Sequence, residues 1–157
     1  MRRLTPVPAK SLEILLLESP EAFACALLAR PPLAEQNHII ARDRDENLRR
    51  FALRALGRVR RMLRTPNQVV SISYLFGGDD PDSRVRSRFL SALVAALGRR
   101  GALRVVGPRD STDAMFGYLD ALSPRLPLGS RIEARVSPTG WMIMSAGGDR
   151  AHSPAPF

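Results

Sequence analysis

Cysteine is almost missing from this chain. Cys25 stands alone in 157 residues, which excludes an internal disulfide framework and most cysteine-based metal sites. Such a chain suits a reducing cytoplasm. Cys25 also sits among Ala24, Ala26 and Leu27, an apolar setting for an inert buried thiol. Histidine is nearly as scarce. A histidine-based triad would rest on His38, because His152 falls in the tail, and no GxSxG surrounds any serine. His38 therefore reads as a strand residue. Aromatics are few, with one tryptophan, two tyrosines and six phenylalanines, and no single-strand-binding aromatic signature accompanies the basic residues. Long apolar runs are absent: nothing approaches the roughly 20 residues that span a bilayer. The first apolar segment is short, holds Glu13 and follows Pro6 and Pro8, which does not fit a secretory leader.

Arginine is what the chain has in excess. Net charge is +9, and of 24 basic residues only Lys10 is lysine. Arginine, alanine, glycine and proline share GC-rich codons, so base composition is a sufficient source of the excess. Its placement says more. Residues 1–41 carry four basic and four acidic side chains, whereas residues 42–64 carry nine arginines against Asp43, Asp45 and Glu46. Two thirds of the excess thus lies in one short segment, a pattern that invites polyanions.

Residues 1–10 read as a loose arm, 11–147 as one domain, and 148–157 as a disordered tail. SLEILLLES (11–19) alternates as a strand. Residues 20–30 fit either a helix or a hairpin strand over 23–29, with the hairpin favoured because Pro31-Pro32 would cut a helix short. NHIIA (37–41) is a short strand. RDRDENLRRFALRALGRVRRMLRT predicts a helix over 43–64, with Asp43 and Asp45 in its first turn. Leu48, Phe51, Ala55, Leu56, Val59 and Met62 form its apolar stripe. QVVSISYLF alternates as a strand. RVRSRFLSALVAALGRR predicts a second helix with Val85, Phe89, Leu93, Ala96 and Leu97 inward, ended by Gly98 or Gly101. ALRVVG is a strand, DAMFGYLDAL a third helix, and RIEARV and WMIMSAG a hairpin turned at Ser137–Gly140.

Strand–helix–strand over 69–107 demands a parallel, right-handed unit. Ser71, Ser73, Arg131, Glu133 and Arg135 give two strands a polar face. That predicts an α/β, two-layer domain with a mixed sheet of about five to seven strands. Three helices would lie mainly on one face, the other being wet or covered by a partner subunit. A three-layer doubly wound fold is the alternative.

The stretch YLFGGDDPDSRVRSRF (74–89) leaves a strand and enters a helix. Gly77 and Gly78, with Arg84, Arg86 and Arg88, form a candidate anion site at a helix N-terminus. Asp79, Asp80 and Asp82 crowd the same turn and oppose an anion, and the stretch matches neither GxGxxG nor GxxxxGK[ST]. The plainer reading is a corner, with Asp80 as N-cap and Pro81 at the first helical position. A divalent cation there would need more oxygen ligands than the stretch supplies. Arg50, Arg54, Arg58 and Arg61 share a face of the first helix and are the candidate polyanion or partner contact. Glu13, Glu18, Glu21 and Glu35 show no spacing for paired acid–base work. Met142, Met144 and Trp141 read as core.

No catalytic residue, cofactor or metal is indicated. The expectation is a small, non-catalytic cytoplasmic domain acting by association with a protein partner or a second copy, through the open sheet face or the arginine-rich helix. The alternatives are sequence-nonspecific nucleic-acid binding by that helix, and a nucleotide- or anion-binding enzyme at the Gly77–Arg88 corner.

Overall fold

The computed structural model describes residues 10–19, 36–66, 68–77, 82–127, 129–136 and 142–147. Six strands form one mixed sheet: β1 (Lys10–Leu17), β2 (Gln36–Ala41), β3 (Gln68–Leu75), β4 (Gly101–Gly107), β5 (Arg131–Val136) and β6 (Met142–Gly147). Their spatial order is β2-β1-β3-β4-β6-β5. The first four are parallel. β6 runs antiparallel to both β4 and β5, so the hairpin enters the sheet with its second strand innermost. Side chains explain that placement. β6 (MIMSAG) is almost wholly buried, while every residue of β5 (RIEARV) except Ile132 is exposed. An apolar strand gains by entering the interior, and a charged one guards the open edge against further pairing. Gly147 lets β6 approach β4: a Cβ there would lie 2.7 Å from the Cα of Ala102.

Three helices were found among the described residues: α1 (Leu48–Met62), α2 (Ser83–Leu97) and α3 (Thr112–Leu122). All pack on one sheet face. Leu12, Ile14 and Leu16 of β1, Val70, Ile72 and Tyr74 of β3, and Leu103 and Val105 of β4 form one buried cluster with all three helices. In α1 the stripe Leu48, Phe51, Ala55 and Val59 is buried, and the Asn47 side chain accepts the Arg50 N–H at 2.8 Å. In α2 the buried set is Arg86, Phe89, Leu90, Leu93, Val94 and Leu97, and Gly98 at φ 57° closes the helix. Edge-on ring contacts join the layers, Phe89 meeting Phe51 at 6.1 Å and Tyr74 at 5.5 Å.

The mixed six-stranded α/β sheet and its three helices agree with the α/β expectation, and the strand order is that of a doubly wound sheet. Several details differ. α1 starts at Leu48, so Asp43 and Asp45 precede the helix and do not occupy its first turn. α2 starts at Ser83 with Asp82 at the N-cap, later than an Asp80-Pro81 cap requires. Its inward face is also rotated, because Leu90 and Val94 are buried while Val85 and Ala96 are only half-buried. The far sheet face is not wet. Leu15, Leu17, Leu75, Val106 and Ile143 form a second buried cluster there, and Ser73 and Arg104 are buried too. On that face Oε1 of Glu13 and the hydroxyls of Ser71 and Ser73 are buried without a hydrogen-bond partner. Burial raises the Glu13 carboxyl above its ordinary range, and the charge of Arg104 opposes that shift. The hairpin reading of residues 20–30, the turn at 137–140, the arm over 1–9 and the tail over 148–157 lie outside the described residues.

Candidate functional site

β1 is followed in sequence by its neighbour on one side, β2, and the chain then returns through α1 to β3 on the other side. The direction of winding therefore reverses between β1 and β3. In open α/β sheets the crevice outside the carboxyl ends of the strands at such a reversal is where ligands bind. The register sets what lies at that edge. Ala41, Leu17, Leu75 and Val106 stand in one row across β2, β1, β3 and β4. Hydrogen bonds one step further on stitch the edge together: Arg42 N–H to Leu17 O at 2.8 Å, Glu18 N–H to Leu75 O at 3.0 Å, and Phe76 N–H to Val106 O at 3.0 Å.

Glu18, the first residue after β1, enters the interior under this edge. Arg86 from the first turn of α2 donates to it twice, Nε to Oε1 and Nη2 to Oε2, both at 2.7 Å. Tyr74 donates its hydroxyl to Oε1 at 2.6 Å, and Nη1 of Arg86 donates to the Tyr118 hydroxyl at 2.8 Å. The guanidinium also lies over Phe76, 4.3 Å from the ring centre. Both charged side chains are only 3–4% exposed. A charge this deep must be paired and fully bonded, and here four elements supply the partners. Burial, followed by the Glu18 charge, pushes the Tyr74 hydroxyl well above its ordinary range.

At the end of β2 the chain makes a tight turn. Asp43 N–H donates to Glu46 Oε1 and Glu46 N–H donates to Asp43 O, both at 3.1 Å. Arg54 of α1 grips Glu46 through Nε at 2.9 Å and Nη2 at 2.7 Å, which holds the Glu46 carboxyl below its usual range. The Asp43 carboxylate is left 80% exposed, 3.9 Å from Arg54. The structure thus fixes a solvent-facing carboxylate at the carboxyl end of β2, beside the reversal point.

The residues singled out from sequence fall as follows. Gly77 is half-buried at the end of β3, next to Phe76, and Gly78 lies outside the described residues. Arg84 and Arg88 are exposed on α2, whereas Arg86 is buried and committed to Glu18. The grouping of these three arginines around one anion is corrected accordingly: Arg86 points into the core. On α1, Arg50 and Arg61 are exposed, Arg58 is half-buried, and Arg54 is committed to Glu46. Sequence reasoning sets Glu18 aside for want of acid–base spacing and reads Asp43 only as a first-turn residue of the helix. The signal for Glu18 was indirect. Arg86 precedes Phe89, Leu90, Leu93 and Leu97 at helical spacing, so it stands on an apolar stripe and needs a buried carboxylate. Among the described residues no group of three or more histidine, cysteine, aspartate or glutamate side chains could hold a metal ion. Nor is any described helix long and apolar enough to cross a membrane.

No family model and no curated protein matches the sequence. Among solved structures the chain is similar to a protein-(glutamine-N5) methyltransferase (release factor-specific) from Alicyclobacillus acidocaldarius subsp. acidocaldarius DSM 446. The TM-score is 0.53 at 15% identity, over 90% of this chain and 82% of that one. The likeness is one of fold, a Rossmann-like α/β sheet. It corrects the expectation of a non-catalytic association domain: the protein that shares this fold is an enzyme, so the leaning away from catalysis is withdrawn.

Proposed function

We propose that the chain is a transferase that binds a phosphate-free nucleoside at the carboxyl ends of β1, β2 and β3 and moves a methyl group from it. The observation that carries this reading is the exposed carboxylate of Asp43 at the end of β2, taken with the sequence that follows β1. In doubly wound sheets an acidic residue near this position accepts hydrogen bonds from ribose hydroxyls, and a glycine-rich turn after the first strand cradles pyrophosphate. Residues 18–35 contain no glycine at all. Asp43 would serve as the acceptor for a ribose, and the sequence after β1 offers no glycine for a pyrophosphate cradle. S-adenosylmethionine, a nucleoside that carries no phosphate, has the required form, and methyl transfer is what the similar structure's name describes. When bound, such a donor supplies an electrophilic methyl group.

The chain's own residues would do three things. Asp43 would accept the ribose hydroxyls, its turn braced by the Glu46–Arg54 pair. Gly77, with no side chain, would let the backbone at the end of β3 come close to the ligand. Glu18 and Arg86, sealed beneath, would hold the ends of β1 and β3 at fixed spacing through Tyr74. The single cysteine suits a reducing cytoplasm as the setting.

Thermal unfolding of the whole chain with and without S-adenosylmethionine tests this. At a hundredfold excess over Kd a ligand stabilises by about 2.7 kcal/mol, which raises Tm by roughly 5–10 °C for a chain this size. Asp43→Ala is expected to abolish most of that rise without lowering the unliganded Tm, and NAD or ATP to give none. No rise with the donor, an equal rise in Asp43→Ala, or a larger rise with NAD each overturns the reading.

A further inference from the structure

α1 and α2 lie side by side, and the space between them is only partly filled. A groove of about 210 Å³ runs between their N-terminal halves, floored by Ala52, Leu56, Val85 and Phe89. Leu53 stands on its border with 68% of its surface exposed. A leucine this exposed in the middle of an arginine-rich helix has no role in the core. Arg49 and Arg88 line the groove from opposite helices, and both are exposed. These two arginines are the charged residues that line the groove, and neither α1 nor α2 contains a carboxylate. Each helix follows a parallel strand, so its N-terminus lies at the carboxyl edge of the sheet.

We infer that this groove docks an amphipathic helix of a partner protein, with an apolar stripe against Leu53, Leu56 and Phe89 and carboxylates against Arg49 and Arg88. The geometry is that of a helix laid in a groove, read through anchors one helical turn apart. The arginine rim selects the sign of the partner's flanks, because a basic flank would meet like charge on both walls. A bare polyanion would use the arginines and leave the apolar floor unfilled. A neutral apolar peptide would fill the floor and leave the rim unpaired. Only a segment with both features satisfies both.

The test uses the whole chain and three labelled synthetic peptides, read by fluorescence anisotropy with no methyl donor present. One peptide has leucines at helical spacing flanked by glutamates, one has lysines in place of the glutamates, and one is the acidic peptide scrambled. The acidic amphipathic peptide is expected to bind at least tenfold more tightly than either control. Leu53→Asp should weaken it at least tenfold. Arg49→Glu with Arg88→Glu should invert the preference toward the lysine peptide. All three side chains are exposed, so an unchanged melting curve confirms that the variants fold. Equal binding of the scrambled peptide reduces the surface to general polyanion attraction and overturns the inference. So does undiminished binding by Leu53→Asp, or binding by none of the peptides. A concentration-dependent dimer that Leu53→Asp dissolves would overturn it in favour of a second copy of the chain. Failure here leaves the reading of the carboxyl edge intact, since that reading is tested by donor binding alone.

Discussion

Removing the guanidinium of Arg86 should cost this protein a large part of its stability. Glu18 and Arg86 are nearly inaccessible, and two charge-assisted bonds of 2.7 Å join them. In Arg86→Ala the Glu18 carboxylate keeps only the Tyr74 hydroxyl among the partners seen in this network. Breaking a buried pair from one side typically costs about 3–5 kcal/mol, because the surviving charge is left uncompensated. The substitution also removes the plane that lies on Phe76 and the donor to Tyr118. Against a total stability of about 5–15 kcal/mol, such a loss is severe. With a urea slope of about 2 kcal/mol/M the midpoint should fall by roughly 2 M. The decisive comparison is a cycle of Glu18→Gln, Arg86→Met and their double variant, which removes both charges and keeps most of the volume. The double variant should be more stable than the sum of the two single losses predicts, by about 0.5–3 kcal/mol. Equilibrium urea unfolding followed by tyrosine fluorescence and by circular dichroism measures all four corners of the cycle. If Arg86→Ala costs less than about 1 kcal/mol, or if the double variant is as unstable as the summed singles, the pair is not the buried, mutually dependent unit described here.

Two further predictions concern titration. Burial raises the Glu13 carboxyl above its ordinary value, so its protonated form favours the folded state. That contribution is fully present below the unfolded carboxylate range and is lost as pH rises through the folded value. Glu13→Gln should therefore raise Tm near neutral pH by about 2–4 °C and give no advantage in acid; melting curves at pH 4 and pH 8 check this, and a gain of equal size at both contradicts it. The Tyr74 hydroxyl is pushed well above its ordinary range, so the unfolded chain releases this proton first and stability should fall as pH climbs past about 10. Tyr74→Phe should flatten the alkaline arm of the stability profile while lowering stability at neutral pH through the lost bond to Glu18. An unchanged alkaline slope would count against a buried, neutral Tyr74.

The elements of this fold were legible in the sequence because each is a local pattern. Helical spacing marked α1 at Leu48, Phe51, Ala55 and Val59, and alternation marked β3 and the β5–β6 hairpin. What local pattern cannot carry is adjacency. Nothing in MIMSAG says that, besides its hairpin partner β5, it pairs with β4, and that insertion decides which strand is edge and which is interior. Asp43 was misplaced for a related reason. An aspartate just before a helix is usually a first-turn residue, and only the Glu46 turn, locked by Arg54 from the second turn of the helix, moves it to the strand end.

The buried charges are different, because they were legible as anomalies even where their partners were not. Arg86 stands on an apolar stripe, Arg104 stands in a strand buried at every position, and Glu13 and Glu18 stand in or just after a run of leucines. An interior cannot hold a lone charge, so each such arginine implies a carboxylate from elsewhere in the chain. The two pairs resolve differently for a geometric reason. Glu18 lies beyond the end of β1, where Arg86 reaches down from the helix layer and both oxygens are engaged. Glu13 lies in mid-strand on the other face, and β3 separates it from β4, so its Cα is about 10 Å from that strand. It feels Arg104 through the field while Oε1 stays unbonded beside Ser71. The bonded pair therefore secures the edge where the ligand is proposed to bind, and the buried Glu13 carboxyl is the one that titration should reveal.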